Sequence, residues 1–130
     1  MATWEELQGF INSNYTVKAS NEFNLQMVFD LGDGRSQLVF VGRAGELGDS
    51  TWAGISTIIA NENQIDHRDL LRRNADLTVG AIALLENGTV VYTYTIRLED
   101  LDINEFEVPL RIVLFTGDEL EKVLTGEDAF

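Results

Sequence analysis

The chain has 130 residues, which suits one domain with a well-buried core, and we expect residues 1–130 to form a single domain. It contains no cysteine and a single histidine, His67, so disulfides, thiolate metal sites and cysteine nucleophiles are excluded. The formal net charge of -13 argues against unaided binding to nucleic acid or to an anionic membrane. It indicates either a solvated acidic surface that keeps the protein soluble or selection of a basic partner.

The amino terminus shows no basic segment followed by an apolar run of signal length, and no stretch of the chain approaches membrane-spanning length. We therefore expect a soluble cytoplasmic protein. Acidic residues are concentrated in Glu99–Asp128, where only Arg111 and Lys122 are basic.

The first predicted element is a helix from about Thr3 to Ser13. Thr3 and Glu6 have the spacing of a capping box, and the residues that follow are apolar at helical spacing. The segment Tyr15–Ser20 then predicts a short strand.

A half-buried strand is predicted for Phe23–Leu31, where apolar and polar residues alternate. The turn at Asp33-Gly34 would then place Phe29 opposite Leu38 and Met27 opposite Phe40, so that these residues form one bulky face. Val28, Val39 and Val41 would lie on the other face.

The glycine-rich segment from Gly42 to Ser50 predicts a flexible loop, because it matches no phosphate-binding fingerprint. The strand Thr51–Ala60 follows it. A short helix from Asp66 to about Asn74 comes next, with Asp66 as its N-cap.

The strongest turn signal is Asn87-Gly88, which lies between two alternating runs in Asp76–Leu98. A two-residue turn there would pair Ala83 with Tyr92 and Ala81 with Tyr94 on one apolar face. The opposite face would be rich in threonine and poor in charge.

A long final helix is predicted from about Asp102, with residues 125–130 frayed at its end. Pro109 would kink this helix or delay its start. The main apolar stripe of the helix comprises Ile103, Phe106, Leu110, Val113, Gly117, Leu120 and Leu124. A second, weaker stripe comprises Val108, Ile112, Phe115 and Val123.

These elements predict an α+β domain in the order α-β-β-β-α-β-β-α, with an antiparallel sheet of about five strands and three helices that cover one of its faces. Three segments of the second half carry a family resemblance: Asp69-Leu70-Leu71-Arg72-Arg73-Asn74-Ala75-Asp76-Leu77, Val79-Gly80-Ala81-Ile82-Ala83-Leu84 and Leu98-Glu99-Asp100-Leu101. Together with the order of elements, they resemble the YbjN-domain family over about residues 66–124. That family is similar in fold to the small dimeric chaperones of bacterial type III secretion.

The resemblance implies a bacterial cytoplasmic protein that is not an enzyme, forms a homodimer, and binds another polypeptide or acts in regulation. It brings no catalytic residues with it, and we predict no catalytic residue, cofactor or bound metal. The alternative is a small metal- or ligand-dependent enzyme that uses the acidic segment Glu99–Asp102, since clustered carboxylates suit a hard cation.

The predicted binding site is the charge-poor face of the sheet, because such a surface often marks an interface. The simpler alternative is that a helix or loop covers this face. A protein or peptide with basic residues is the expected partner, and the predicted contact residues are Thr78, Ile82, Leu84, Val91, Thr93 and Thr95.

Overall fold

The structure is a computed structural model that describes residues 2–125, with the backbone alone for Glu46. The helices and strands run in the order α1 (Trp4–Asn14), β1 (Val17–Ser20), β2 (Asn24–Gly32), β3 (Arg35–Leu47), β4 (Ser50–Asn61), α2 (His67–Ala75), β5 (Ala81–Leu84), β6 (Thr89–Arg97) and α3 (Glu107–Thr125). Short 3-10 turns follow β4 and β6 and precede α3.

The strands form one antiparallel sheet of six strands in the order β1-β2-β3-β4-β6-β5. The α+β class and the three helices are as the sequence predicts, and the strand count exceeds the expected five by one. None of the helices among residues 2–125 is long and apolar enough to cross a bilayer.

The hydrophobic core lies between the helices and one face of the sheet. Leu7 and Ile11 of α1, Leu70 of α2, and Leu110 and Val113 of α3 are all buried. These residues share one cluster with the core face of the sheet, which includes Leu25, Met27, Val39, Val41, Ala53, Ile55, Ile59, Ile82, Val90 and Tyr92.

The first hairpin turns at Asp33-Gly34 as predicted, with positive φ at both residues. Its register is nevertheless shifted by one, because Leu31 is an extra residue between the paired positions 30 and 32. Phe29 therefore faces Gln37 and not Leu38. Since a one-residue shift turns a strand over, the predicted assignment of Val39 and Val41 to the outer face was wrong, and both are buried in the core.

The central hairpin also differs from its predicted register. The N–H of Gly88 donates to the carbonyl of Leu85 (3.0 Å), and the N–H of Leu85 donates to the carbonyl of Thr89 (2.8 Å). The loop therefore has three residues and ends in Gly88, whose φ is +86°. Ala83 pairs with Val91 and not with Tyr92, so β5 is turned over relative to the prediction.

The segment predicted as a glycine-rich loop is the end of β3 and the start of β4. Leu47 pairs with Ser50 across a tight turn, and the register shifts between Arg43 and Gly45. Gly45 adopts a φ of +103°, which a bulge can require and which glycine adopts readily. The glycines thus serve a bent hairpin.

The helix termini follow the sequence closely. The Thr3 hydroxyl accepts the N–H of Glu6 (3.1 Å) and caps α1. The Asp102 carboxylate accepts the N–H of Asn104 (3.1 Å) and caps a 3-10 turn, so α3 begins later than predicted. Pro109 lies in the first turn of α3, where a helix has no partner for the N–H that proline lacks. Of the predicted frayed tail, 126–130 lie outside the described residues.

Candidate functional site

The face of the sheet away from the helices is the candidate site, and we call it the open face. Its apolar residues are absent from the hydrophobic core cluster, although Val91 is only 6% exposed. Because strand residues alternate between faces, the pairing of Val28 with Leu38, Ser56 with Thr93, and Ala83 with Val91 places them all on this side. The name covers the uncharged centre of this side, which comprises Val28, Leu38, Phe40, Gly54, Ser56, Ile58, Ala81, Ala83, Val91, Thr93 and Thr95. The same alternating rows continue at its margins to Gln26, Asp30 and Arg97.

No residue of the open face carries a charge, and most are half-buried by their neighbours alone. A hydrogen bond of 2.8 Å joins the Ser56 and Thr93 hydroxyls, which leaves these polar groups satisfied within the face. A shallow groove of about 360 Å³ crosses it near the turn of the central hairpin. The groove is lined by Phe40, Ser56, Ile58, Leu85, Asn87, Thr89 and Val91.

Three of the six predicted contact residues, Val91, Thr93 and Thr95, lie on the open face. Of the other three, Ile82 and Leu84 lie on the opposite side because the three-residue loop turns β5 over. Ile82 is 8% exposed and belongs to the core, whereas Leu84 lies on the same side of β5 but is 47% exposed near the end of that strand. Thr78 is exposed and precedes β5.

The sequence prediction missed Leu38, Phe40 and Ile58, which supply the largest apolar groups of the open face. In β3 both alternating rows are apolar, so alternation alone does not decide which row faces the helices. The sequence did contain a sign that this strand ends irregularly, namely Asp30 followed by Gly32 and Gly34. In the structure the Asp30 carboxylate accepts the N–H of Gly32 (2.9 Å).

The acidic segment Glu99–Asp102 is occupied by contacts within the chain. Glu99 and Asp100 both approach the Arg97 guanidinium, at 2.9 Å and 3.6 Å. Asp102 serves as the cap described above. A cavity of about 400 Å³ lies beside this segment and is also lined by Trp52 and Tyr94.

Within residues 2–125 no three acidic or histidine side chains converge in a geometry that could hold a metal ion. His67 is exposed at the start of α2. Of the three arginines in α2, Arg73 forms an ion pair of 3.0 Å with Asp69 on the same helix. These residues stabilise or solvate a helix and do not assemble a reactive group.

Two tyrosines have shifted pKa values, and both belong to the helix side of the sheet. Burial raises the pKa of Tyr92, whose hydroxyl donates to the carbonyl of Val79 (2.7 Å). Burial, together with the nearby Glu107 carboxylate, also raises the pKa of Tyr15. The folded protein therefore favours the protonated, neutral form of both hydroxyls.

No family model matches this chain, and no curated protein matches it by sequence. Among solved structures, this chain is similar in fold to a chain from the "Structure of the HopA1-SchA Chaperone-Effector Complex". The TM-score is 0.65 with 12% sequence identity, over 89% of this chain and 90% of that chain.

The α+β fold of this chain is similar to that of a chain in this chaperone-effector complex. At this identity the likeness concerns the fold alone, so membership of the YbjN-domain family stays a prediction. In this chain the fold places the helices on one side of the sheet and leaves the open face on the other.

Proposed function

We propose that this protein is a non-enzymatic binding module that holds a segment of another polypeptide on the open face, in a chaperone-like or regulatory role. The observation that carries the proposal is the open face itself: eleven residues from five strands form an uncharged surface at the centre of the sheet, with no helix packed over it among the described residues. A surface of this kind is what an extended apolar segment needs.

The net charge supports a partner with basic residues. The chain carries 22 acidic and nine basic side chains, counted as Lys plus Arg. An uncharged binding face on a chain of net negative charge would bind apolar groups directly and attract flanking lysine or arginine through the field of the whole protein. The bacterial cytoplasm, the homodimer and the YbjN-domain family belong to this same proposal.

The chaperone-like fold also supports a binding protein over an enzyme. The metal- or ligand-dependent enzyme would need the carboxylates of Glu99–Asp102 free to bind a cation. Arg97 neutralises two of them, and the third caps a turn. No contact in this segment favours the enzyme.

The experiment is affinity capture from native cytoplasm, followed by titration of the captured partner against purified variants. Thr93→Glu introduces a charge in the middle of the open face and should weaken binding by about tenfold or more, because the carboxylate would have to be desolvated. Thr95→Glu repeats the test at an exposed position of the same strand.

Thr78→Glu is the matched control, since it makes the same chemical change in the exposed segment that precedes β5. It should leave the affinity unchanged. Circular dichroism verifies that each variant folds. If Thr93→Glu and Thr95→Glu both bind as tightly as Thr78→Glu, the open face is not the site.

A further inference from the structure

The outward side of α3 carries an apolar stripe that the rest of the described chain leaves uncovered. Val108, Phe115 and Val123 are 61%, 70% and 55% exposed. They follow one another at intervals of about two helical turns, so they lie on one side of the helix over a length of about 22 Å. Ile112 is half-buried beside this line, and we call these four residues the outer stripe.

Charged residues flank the outer stripe in an order that is complementary to itself. Glu107 and Arg111 lie towards its start and are joined at 2.9 Å. Glu119 and Lys122 lie towards its end, where Lys122 is joined to Asp118 at 3.2 Å. If the helix is reversed about Phe115, Arg111 meets the position of Glu119. Glu107 then comes within one residue of Lys122. Acid therefore meets base at both ends.

We propose that a second copy of this chain packs on the outer stripe, with the two α3 helices antiparallel and Phe115 on the two-fold axis. In a symmetric dimer, the same contact occurs twice, so Arg111 of each copy would bind Glu119 of the other. Val108 of each copy would lie beside Val123 of the other. An unrelated helix would meet the apolar residues, but nothing would require it to carry the reversed charges.

This inference rests on the homodimer in the proposed function, and it adds the geometry of that dimer. Because α3 and the open face lie on opposite sides of the sheet, both open faces would stay free for the partner. The contact involves one helix face of each copy, so its buried area is smaller than the roughly 1,600 Å² of a standard interface. We therefore expect self-association to depend on concentration across the micromolar range.

Charge reversal tests this geometry by sedimentation velocity on the purified protein alone. R111E and E119R should each raise the dimer dissociation constant by about tenfold or more, because each sets like charges against each other at two symmetric contacts. Mixing the two variants restores opposite charges at both contacts and should produce a heterodimer. The double variant should associate as the wild type does.

The matched control is R68E on α2, which changes the net charge as R111E does at another exposed arginine. It should leave self-association unchanged. Wild-type behaviour of R111E and E119R, failure of their mixture to associate, or an equal loss in R68E would each overturn the proposal. None of these outcomes bears on the open face, which Thr93→Glu tests separately.

A second measurement uses the absence of native cysteine. F115C places one thiol at the two-fold axis and should give a disulfide-linked dimer under mild oxidation. V123C should give no disulfide-linked dimer, because the two thiols would lie at opposite ends of the helix pair. Equal crosslinking of the two variants would contradict the antiparallel arrangement.

Discussion

Gly117 marks the closest approach of α3 to the sheet. A Cβ at this position would overlap the Thr57 methyl group and would lie 3.1 Å from Nε2 of Gln37. These two neighbours form a buried polar pair, in which Gln37 Nε2 donates to the Thr57 hydroxyl (2.9 Å) and that hydroxyl donates to the carbonyl of Leu38 (2.7 Å). The missing side chain allows a helix to lie directly on this pair.

Gly117→Ala should therefore destabilise the fold although alanine favours helices. We expect the free energy of unfolding to fall by about 1–3 kcal/mol, since the methyl group has no space and the polar pair would have to move. Gly9→Ala is the control, because α1 has open space at that position, and it should raise the stability by about 0.5–1 kcal/mol. Urea unfolding of both variants measures the difference. Equal stabilisation by both would show that Gly117 is not tightly packed.

Tyr92 gives a second test at the level of one side chain. Burial raises the pKa of Tyr92 in the folded state above the ordinary value of 10.0. In the pH range between these two pKa values, the folded protein keeps the proton and an unfolded chain releases it. The contribution to stability is complete below that range and is lost as the pH rises through the folded pKa.

Tyr92→Phe removes the hydrogen bond to Val79 and should lower the stability at about pH 8 by about 0.5–1.5 kcal/mol. The variant cannot ionise at this position, so its deficit relative to wild type should shrink at about pH 11. Urea unfolding at both pH values measures the deficit. A deficit that grows with pH would contradict a raised pKa.

At the level of elements, helices were easier to predict than strand registers. The caps at Thr3 and Asp66 were confirmed, and so was the part of the main stripe that lies within α3, because capping and helical spacing depend on residues close together in the chain. Both hairpins were shifted by one residue. In each case one irregular residue beside the turn, Leu31 or Gly88, changed which face a whole strand presents.

The edge of β5 illustrates how a single side chain can replace a strand. The Asn74 amide accepts the N–H of Ile82 (2.8 Å) and donates to its carbonyl (3.0 Å), as a neighbouring strand would. Edge strands that keep such groups unpaired attract other chains.

Asn74→Ala should leave both backbone groups of Ile82 without partners and lower the stability by about 1–3 kcal/mol. The variant should also self-associate more strongly on storage. Asn14→Ala is the control, because its amide bonds only to the exposed carbonyl of Phe10 within α1, and it should change stability by less than about 0.5 kcal/mol. Chemical unfolding and light scattering measure the two effects. Similar values for both variants would deny Asn74 a role at the edge.

At the level of the whole molecule, the sequence predicted the architecture but only part of the candidate site. The order of elements follows from local patterns, and so does the assignment of β6, where Thr93 and Thr95 lie away from the core. Which residues of the other strands lie on the open face depends on how the strands pair across the two hairpin turns. Leu38 and Phe40 could not be placed without it, because their row is as apolar as the one beside it.

The net charge of -13 predicts how the folded chain responds to salt. Added sodium chloride should raise the free energy of unfolding, because screening weakens the repulsion among acidic side chains that the compact state brings together. The same addition should weaken binding of a basic partner. Urea unfolding and partner titration over a salt series measure both trends. A stability that falls with salt would show that attractive ion pairs outweigh the net repulsion.

The Asn74 amide has a further consequence for growth of the sheet beyond one molecule. Polymerisation by strand addition requires each molecule to have two unpaired sheet edges, because each edge can pair with only one neighbouring molecule. Because Asn74 of α2 bonds to the Ile82 backbone at the edge of β5, the β1 edge is the one left to accept a strand. Lys18 of β1 is exposed at that edge. Pairing between two β1 edges would thus stop after two copies, so strand addition alone would leave no second edge from which a fibril could grow.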